Sequence, residues 1–167
     1  MPLHYRIITN NPSVAARWPE STEWIDGSAN QVFLRARDLV HRCHCLLTHP
    51  LAGSVKPNQT PYRSIVVGDV PAATVDYDSL RLIEGALSVA ARLGPPRFAR
   101  RGDTTRAKES VATAVAAQMP ARLDDDFQLI DFTLMQSAVE SLGAQHIPNR
   151  VFTQLNDADE GKMRGQR

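Results

Sequence analysis

The chain has 167 residues, of which 43% are apolar and 22% charged, enough for one domain and too few for two ordinary ones. Lysine and arginine number 19 against 18 acidic residues, and the resulting net charge of +1 excludes a strongly charge-steered nucleic-acid binder. No apolar run approaches the roughly 20 residues of a membrane span, the first residues lack a signal peptide's apolar stretch, and two cysteines cannot form a disulfide framework, so we expect a cytoplasmic protein.

The first part of the chain alternates strands and helices. Short runs of β-branched and aliphatic residues predict four strands, over residues 4–9, 22–25, 45–48 and 64–67. Asn11 is a good N-cap and Pro12 suits the first position of a helix, so we expect a helix directly after the first strand. Ser28 and Gln31 have the spacing of a capping box, which predicts a second helix carrying the apolar stripe from Val32 to Cys43.

The later part of the chain is predicted to be helical. Apolar residues at helical spacing predict helices over 80–90, 105–118 and 124–142. The first of these ends at Gly94 and the last at Gly143. Residues 144–167 lose this periodicity and predict an irregular, partly disordered tail. We therefore expect a single α/β domain over residues 4–143, with a small, mostly parallel sheet of about four strands sandwiched by helices and a helical C-terminal half.

Residues 49–62 form the least regular segment of the chain. Three prolines and one glycine among these 14 residues exclude a helix or a central strand. An irregular connection of this length within a compact domain is more often functional than idle. The backbone N–H groups of Gly53 and Ser54, with the charge of Lys56, suit a carboxylate or a phosphate. The alternative is an ordered surface loop whose polar side chains bond its own backbone.

A ligand site is expected at the carboxyl ends of the strands, where open α/β sheets bind ligands. Three segments are expected to meet there: the turn at Asn10–Asn11, the segment 49–62 and the turn at Gly68–Asp69. A helix start at the first turn would offer N–H groups to an anion, although those residues also suit a helix cap and nothing more. The candidate ligand-binding residues are Asn10, Asn11, His49, Ser54, Lys56, Asn58 and Tyr62.

Other chemistries find less support in the residue pattern. The cluster of histidines and cysteines over residues 41–49 lacks the two ligand pairs of a structural zinc site, so we expect no metal and no cofactor. The arginines of segment 97–106 are typical of a solvated connector and not of a nucleic-acid patch. His49 and His41 are candidate general bases, because the pKa of histidine lies close to cellular pH. Whether the protein is an enzyme stays open.

Several segments, taken together, resemble the GrdX family. They are Ile8–Pro12, Arg37–His41, Leu46–Asn58, Thr60–Ser64 and Asp126–Asp131. The run His-Pro-Leu-Ala-Gly-Ser-Val-Lys-Pro-Asn is long and unusual, which makes the likeness fairly specific, and the resemblance covers residues 4–143. Cys43 and Cys45 stand where the family pattern is expected to carry a glycine and a basic residue, which argues against a mechanism through their thiols.

The resemblance implies an accessory or regulatory protein, encoded beside the glycine, sarcosine and betaine reductase components of amino-acid fermentation. Together with the residues it favours a cytoplasmic protein that binds a small anionic metabolite, such as an amino acid or a phosphorylated compound. Two alternatives stay open. One is a small enzyme that uses His49 or His41 as general base in the same pocket. The other is a protein-interaction factor that docks on a reductase component without a ligand, and a homodimer is compatible with each.

Overall fold

The computed structural model describes residues 4–53, 55–101 and 119–144 of the chain. The strands are β1 (Tyr5–Thr9), β2 (Thr22–Trp24) and β3 (Ser64–Gly68), in the order β2-β1-β3. The helices are α1 (Pro12–Arg17), α2 (Ala29–His41), α3 (Tyr77–Leu93) and α4 (Ala121–Ala144). Ser54, the predicted helix over 105–118 and the predicted tail beyond Ala144 lie outside the described residues.

Both faces of the small sheet are covered by helices. Ile8, Ile65 and Val67 are fully buried in a core that includes side chains of α2 and α3. Their neighbours Ile7 and Val66 point to the opposite face, because side chains alternate along a strand, and pack with side chains of α1 and α4. The predicted α/β class is confirmed. None of the described helices has the length and apolar character needed to cross a membrane.

In the described part of the chain the sheet has three strands, and the prediction of a fourth over Cys45–Thr48 was wrong. That segment runs antiparallel beside β3 but forms a single bridge, between Leu46 and Val67. The side-chain hydroxyl of Thr48, in place of a backbone carbonyl, accepts the N–H of Val66 at 2.9 Å. Pro50 follows and has no N–H to donate, so the ladder ends after one bridge.

The expectation of a mostly parallel sheet was also wrong. β1 pairs parallel with β2 but antiparallel with β3, with Thr9 opposite Ser64 and Tyr5 opposite Gly68. The segment 49–62, which joins Cys45–Thr48 to β3, contains no helix among its described residues, so it turns the chain back at the carboxyl end of β1 and β3 runs antiparallel to β1. As a consequence Asp69, expected at that end, lies beside the amino end of β1.

The end of α2 is a Schellman motif built on a cysteine. The N–H of Cys43 bonds the carbonyl of Val40 at 3.0 Å, and the N–H of His44 bonds the carbonyl of Leu39 at 3.0 Å. Cys43 has a φ of 67°, in the left-handed region that glycine usually occupies at this position. The motif gives a physical reason to expect a glycine at this position.

We expect Cys43→Gly to raise the free energy of unfolding by up to about 1 kcal/mol, measured by urea denaturation. The left-handed conformation costs a residue with a side chain roughly 1–2 kcal/mol, and the greater chain entropy of glycine offsets part of that gain. Cys45→Gly is the matched control and should lower stability, because Cys45 does not have a positive φ. A loss of stability in Cys43→Gly would contradict the assignment of strain to this residue.

Candidate functional site

A cavity of about 540 Å³ lies at the carboxyl ends of β1 and β2. Its walls come from the start of α2, the segment 49–62, the end of α3 and the connector 94–100. The segment 49–62 contributes Pro57 and Pro61 to this wall. The cavity therefore occupies the edge of the sheet at which the sequence predicts a ligand.

The lining of the cavity includes both apolar and polar groups. Apolar side chains of α2 and α3 contribute to it, among them Phe33, Leu34, Ala90 and Ala91. The first turn of α2 and Arg100 contribute the polar part. Because the backbone N–H groups of a first turn point away from the helix and carry its positive dipole end, this part favours a negative charge.

Arg100 is held in place by protein groups on three sides. Its side chain is 7% exposed, and its Nη2 lies 2.6 Å from Oδ1 of Asp26. Nε donates to the carbonyl of Gly27 at 3.4 Å, and Nη1 donates to the carbonyl of Arg101 at 3.3 Å. The guanidinium also lies over the ring of Trp24, 5.1 Å from its centroid. Three of its five N–H groups are thus used by described residues, which leaves two for a ligand.

Asn10 joins the segments that surround the cavity. Its side chain is fully buried, and Nδ2 donates to the carbonyl of Gly27 at 3.0 Å and to that of Pro61 at 2.8 Å. Its Oδ1 accepts the N–H of Arg63 at 2.8 Å. One amide side chain therefore fixes the chain before α2 and the end of segment 49–62 against β1.

Asn11 caps α1, as predicted, and also binds α4. Its Oδ1 accepts the N–H of Ser13 at 3.0 Å. Its Nδ2 donates to the carbonyl of Gln128 at 2.9 Å and to Oδ2 of Asp131 at 3.0 Å. Because these contacts place α4 over the start of α1, the turn at Asn10–Asn11 is part of the interior.

Tyr62 is buried beside the start of α4. Its hydroxyl donates to Oδ1 of Asp124 at 2.5 Å, and Nε2 of Gln128 donates to Oδ2 of the same carboxylate at 2.8 Å. Burial, together with the bond to Asp124, raises the pKa of Tyr62. The sequence predicts that the last helix begins at Asp124, whereas α4 begins at Ala121 and Asp124 is 2% exposed.

The remaining candidate residues lie apart from this network. His49 is exposed, and its Nδ1 accepts the N–H of Leu51 at 3.1 Å. Lys56 is exposed as well. Asn58 donates from Nδ2 to the carbonyl of Leu93 at 3.4 Å, which ties the segment 49–62 to the end of α3. His41 ends α2, at the far end of the helix from the cavity, and lies 3.5 Å from Glu84.

The structure therefore brings Asn10, Asn11 and Tyr62 into one buried network and leaves His49 and Lys56 on the surface. None of these five residues lines the 540 Å³ cavity. Within residues 4–53, 55–101 and 119–144, no three His, Cys, Asp or Glu side chains are grouped as a metal site.

Sequence reasoning missed Arg100 as a site residue and missed the wall formed by α3. The capping box at Ser28 and the helix end at Gly94 were both visible in the sequence and confirmed in the structure. Nothing in the local pattern indicates that these two ends face each other, because they are distant in the chain and meet only through packing.

Comparison with known proteins identifies a family but no characterised relative. A family model described as GrdX-like protein matches residues 6–140. No curated protein and no solved structure matches the chain. Since the matched region covers most of the chain, it confirms the resemblance that the sequence indicates. The chain belongs to the GrdX-like protein family.

Proposed function

We propose that this protein binds a small anionic metabolite in the cavity at the carboxyl ends of β1 and β2. The observation that carries the proposal is the pairing of a 540 Å³ cavity with the side chain of Arg100, which is 7% exposed and borders that cavity. Pockets of this size are typical of small-molecule sites, which combine apolar walls with a few fixed polar groups.

The position of the cavity supports the same function. Parallel strands β1 and β2 both end near it, and α2 begins there. The capping box of α2 uses the N–H groups of Ser28 and Gln31, so the N–H groups of Ala29 and Asn30 are the ones available to a ligand. In α/β proteins this arrangement commonly receives the negative group of a ligand. Arg100 adds two N–H groups that described residues do not use, so a carboxylate or phosphate would have both backbone and side-chain donors.

Binding is favoured over a pure docking role by the wall that segment 49–62 forms. A protein-interaction factor predicts an apolar patch on the later helices and no cavity near this segment. Leu129 and Ile130 of α4 are 59% and 38% exposed, and neither residue lines the 540 Å³ cavity. A reductase component as partner, a cytoplasmic location and a part in amino-acid metabolism belong to the proposal through the family resemblance.

Ligand binding should raise the melting temperature of the full chain, measured by differential scanning fluorimetry. The panel consists of acetate, glycine, sarcosine, betaine and glycerol 3-phosphate, with acetamide as the uncharged control. At a ligand concentration a hundredfold above Kd, binding adds about 2.7 kcal/mol to stability. We expect the rise in melting temperature to disappear in Ala91→Trp, because the indole would fill the cavity. In Arg100→Gln the same rise should need at least tenfold more ligand.

Matched substitutions away from the cavity provide the controls. Ala16→Trp places the same side chain on an exposed position of α1, and Arg81→Gln removes an exposed arginine of α3. Both should keep the wild-type response. The proposal fails if no charged compound raises the melting temperature of the wild type, or if Ala91→Trp responds as the wild type does.

A further inference from the structure

Arg63 is a buried cation with one unused edge. The residue is 5% exposed, its Nη1 donates to the carbonyl of Ala52 at 3.2 Å, and its guanidinium lies 5.7 Å from the ring centroid of Phe33. Its Nε and Nη2 are buried and have no hydrogen-bond partner among the residues that the structure describes. Burying a charged donor without an acceptor costs free energy, so we expect an acceptor at this edge.

The unused edge has a defined geometry. Nε–H and Nη2–H of an arginine point the same way, and this fork matches two oxygens of a carboxylate or one spherical anion. The aromatic face of Phe33 and the carbonyl of Ala52 hold the guanidinium from its other sides. Arg63 is therefore oriented before any ligand arrives.

Arg63 also lines a small slot. It measures about 10 Å³ and is bounded by Arg63, by Gly53 and Val55 of the loop and by Asp131 and Leu134 of α4. This space holds one water molecule or an ion of similar size. Gly53 has a φ of 99°, and a side-chain carbon there would lie 2.6 Å from Leu134, so only glycine lets the loop close over the slot in this way.

Asp131 borders the slot, but among the described residues no hydrogen bond joins its carboxyl group to the free edge of Arg63. Its Oδ2 accepts from Oγ of Ser64 at 2.7 Å and from Nδ2 of Asn11 at 3.0 Å. Burial raises the pKa of this carboxyl group, and the nearby positive charge of Arg63 counteracts only part of that effect. Burial likewise lowers the pKa of Arg63.

We propose that this slot is a binding site for one small monovalent anion, a halide, held by Nε–H and Nη2–H of Arg63. The site is separate from the metabolite cavity, because Pro61 lines that cavity whereas Tyr62 and Arg63 line the slot. Its existence does not depend on the proposed function.

The charges around the slot couple anion binding to a proton. When Asp131 is ionised it balances Arg63, and an anion would be repelled by the carboxylate. When Asp131 is protonated, Arg63 is left with a net positive charge that an anion neutralises. The other titratable groups on this side are Tyr62 and Asp124, which bond each other, while β1 and α1 contribute the uncharged Thr9 and Asn11. The anion should therefore bind more tightly as the pH falls.

The test compares melting temperatures of the full chain in potassium chloride, bromide and gluconate at equal ionic strength. We expect the two halides to raise the melting temperature relative to gluconate, which is too large for the slot, and to do so more at acidic than at neutral pH. Arg63→Met should abolish the difference. Asp131→Asn, which carries no charge at either pH, should keep it and remove its pH dependence.

Broadening of the chloride-35 NMR signal by the wild-type protein, reversed by bromide, gives a second measurement that needs no variant. The proposal is overturned if gluconate and chloride give the same melting temperature, which would mean that the slot holds an ordered water only. It is also overturned if Arg63→Met folds and keeps the chloride effect, or if chloride-35 shows no broadening that bromide reverses.

Discussion

Asn10→Ala is expected to lower the free energy of unfolding by roughly 3–5 kcal/mol, because each buried polar group left without a partner costs about 1–3 kcal/mol. The side chain is fully buried and makes three hydrogen bonds to backbone groups of distant segments. Removing it leaves the carbonyl of Pro61 and the N–H of Arg63 unpaired in the interior, and it leaves the carbonyl of Gly27 with only the longer bond, at 3.4 Å, from Nε of Arg100. Urea denaturation measures the change.

The same substitution should also weaken the proposed metabolite site. Gly27 precedes the first turn of α2, and Pro61 lines the cavity, so both walls lose their common anchor. Asn30→Ala removes an exposed asparagine from the same region and is the matched control for stability. A loss in Asn10→Ala of less than about 1 kcal/mol would contradict the anchoring role, since even one buried unsatisfied group costs that much.

Tyr62→Phe should lower the free energy of unfolding by about 2–4 kcal/mol at neutral pH, because hydrogen bonds to charged groups are stronger than neutral ones and a buried carboxylate oxygen is left unpaired. The hydroxyl of Tyr62 donates to Asp124 at 2.5 Å, and Asp124 is 2% exposed. Gln128 binds the other carboxylate oxygen and does not replace the lost donor.

This difference should shrink at high pH. Burial and the bond to Asp124 raise the pKa of Tyr62 in the folded protein, whereas an unfolded tyrosine ionises near pH 10. The stabilisation from this group is therefore complete below about pH 10 and is lost progressively as the pH rises toward the raised pKa. The phenylalanine variant has no such loss, so the two stability curves converge in strong base.

Urea midpoints of both proteins across the alkaline range measure this convergence. Tyr77→Phe is the control, because Tyr77 is 83% exposed and its removal should change neither the neutral stability nor the alkaline slope. Parallel curves for wild type and Tyr62→Phe would show that Tyr62 ionises in the folded protein as easily as in the unfolded one.

Features governed by neighbouring residues were predicted well from the sequence. The cap of α1 at Asn11, the capping box at Ser28 and the end of α3 at Gly94 all lie where local patterns indicate. Each depends on hydrogen bonds or backbone angles within a few residues. The ranges of β1, β2 and β3 follow from short apolar runs for the same reason.

The strand prediction for Cys45–Thr48 failed because a strand is defined by its partner and not by its composition. The segment has suitable residues, but Thr48 offers Val66 a side-chain oxygen and the pairing ends after one bridge. The direction of β3 could not be predicted either, since it depends on how the segment 49–62 turns the chain back. Strand pairing and strand direction depend on two segments together, so the sequence of one segment does not predict them.

The family, the α/β class and the starts of α1 and α2 could be predicted from the residues alone, because each depends on residues close together in the chain. Folding was needed to bury Asn10, Asn11 and Tyr62 in a network with α4, to leave Nε and Nη2 of Arg63 without a partner among the described residues, and to bring Arg100 to the cavity. Burial, hydrogen-bond pairing and the electrostatic effect of neighbouring charges all depend on groups that are distant in the chain, and folding alone brings these groups together.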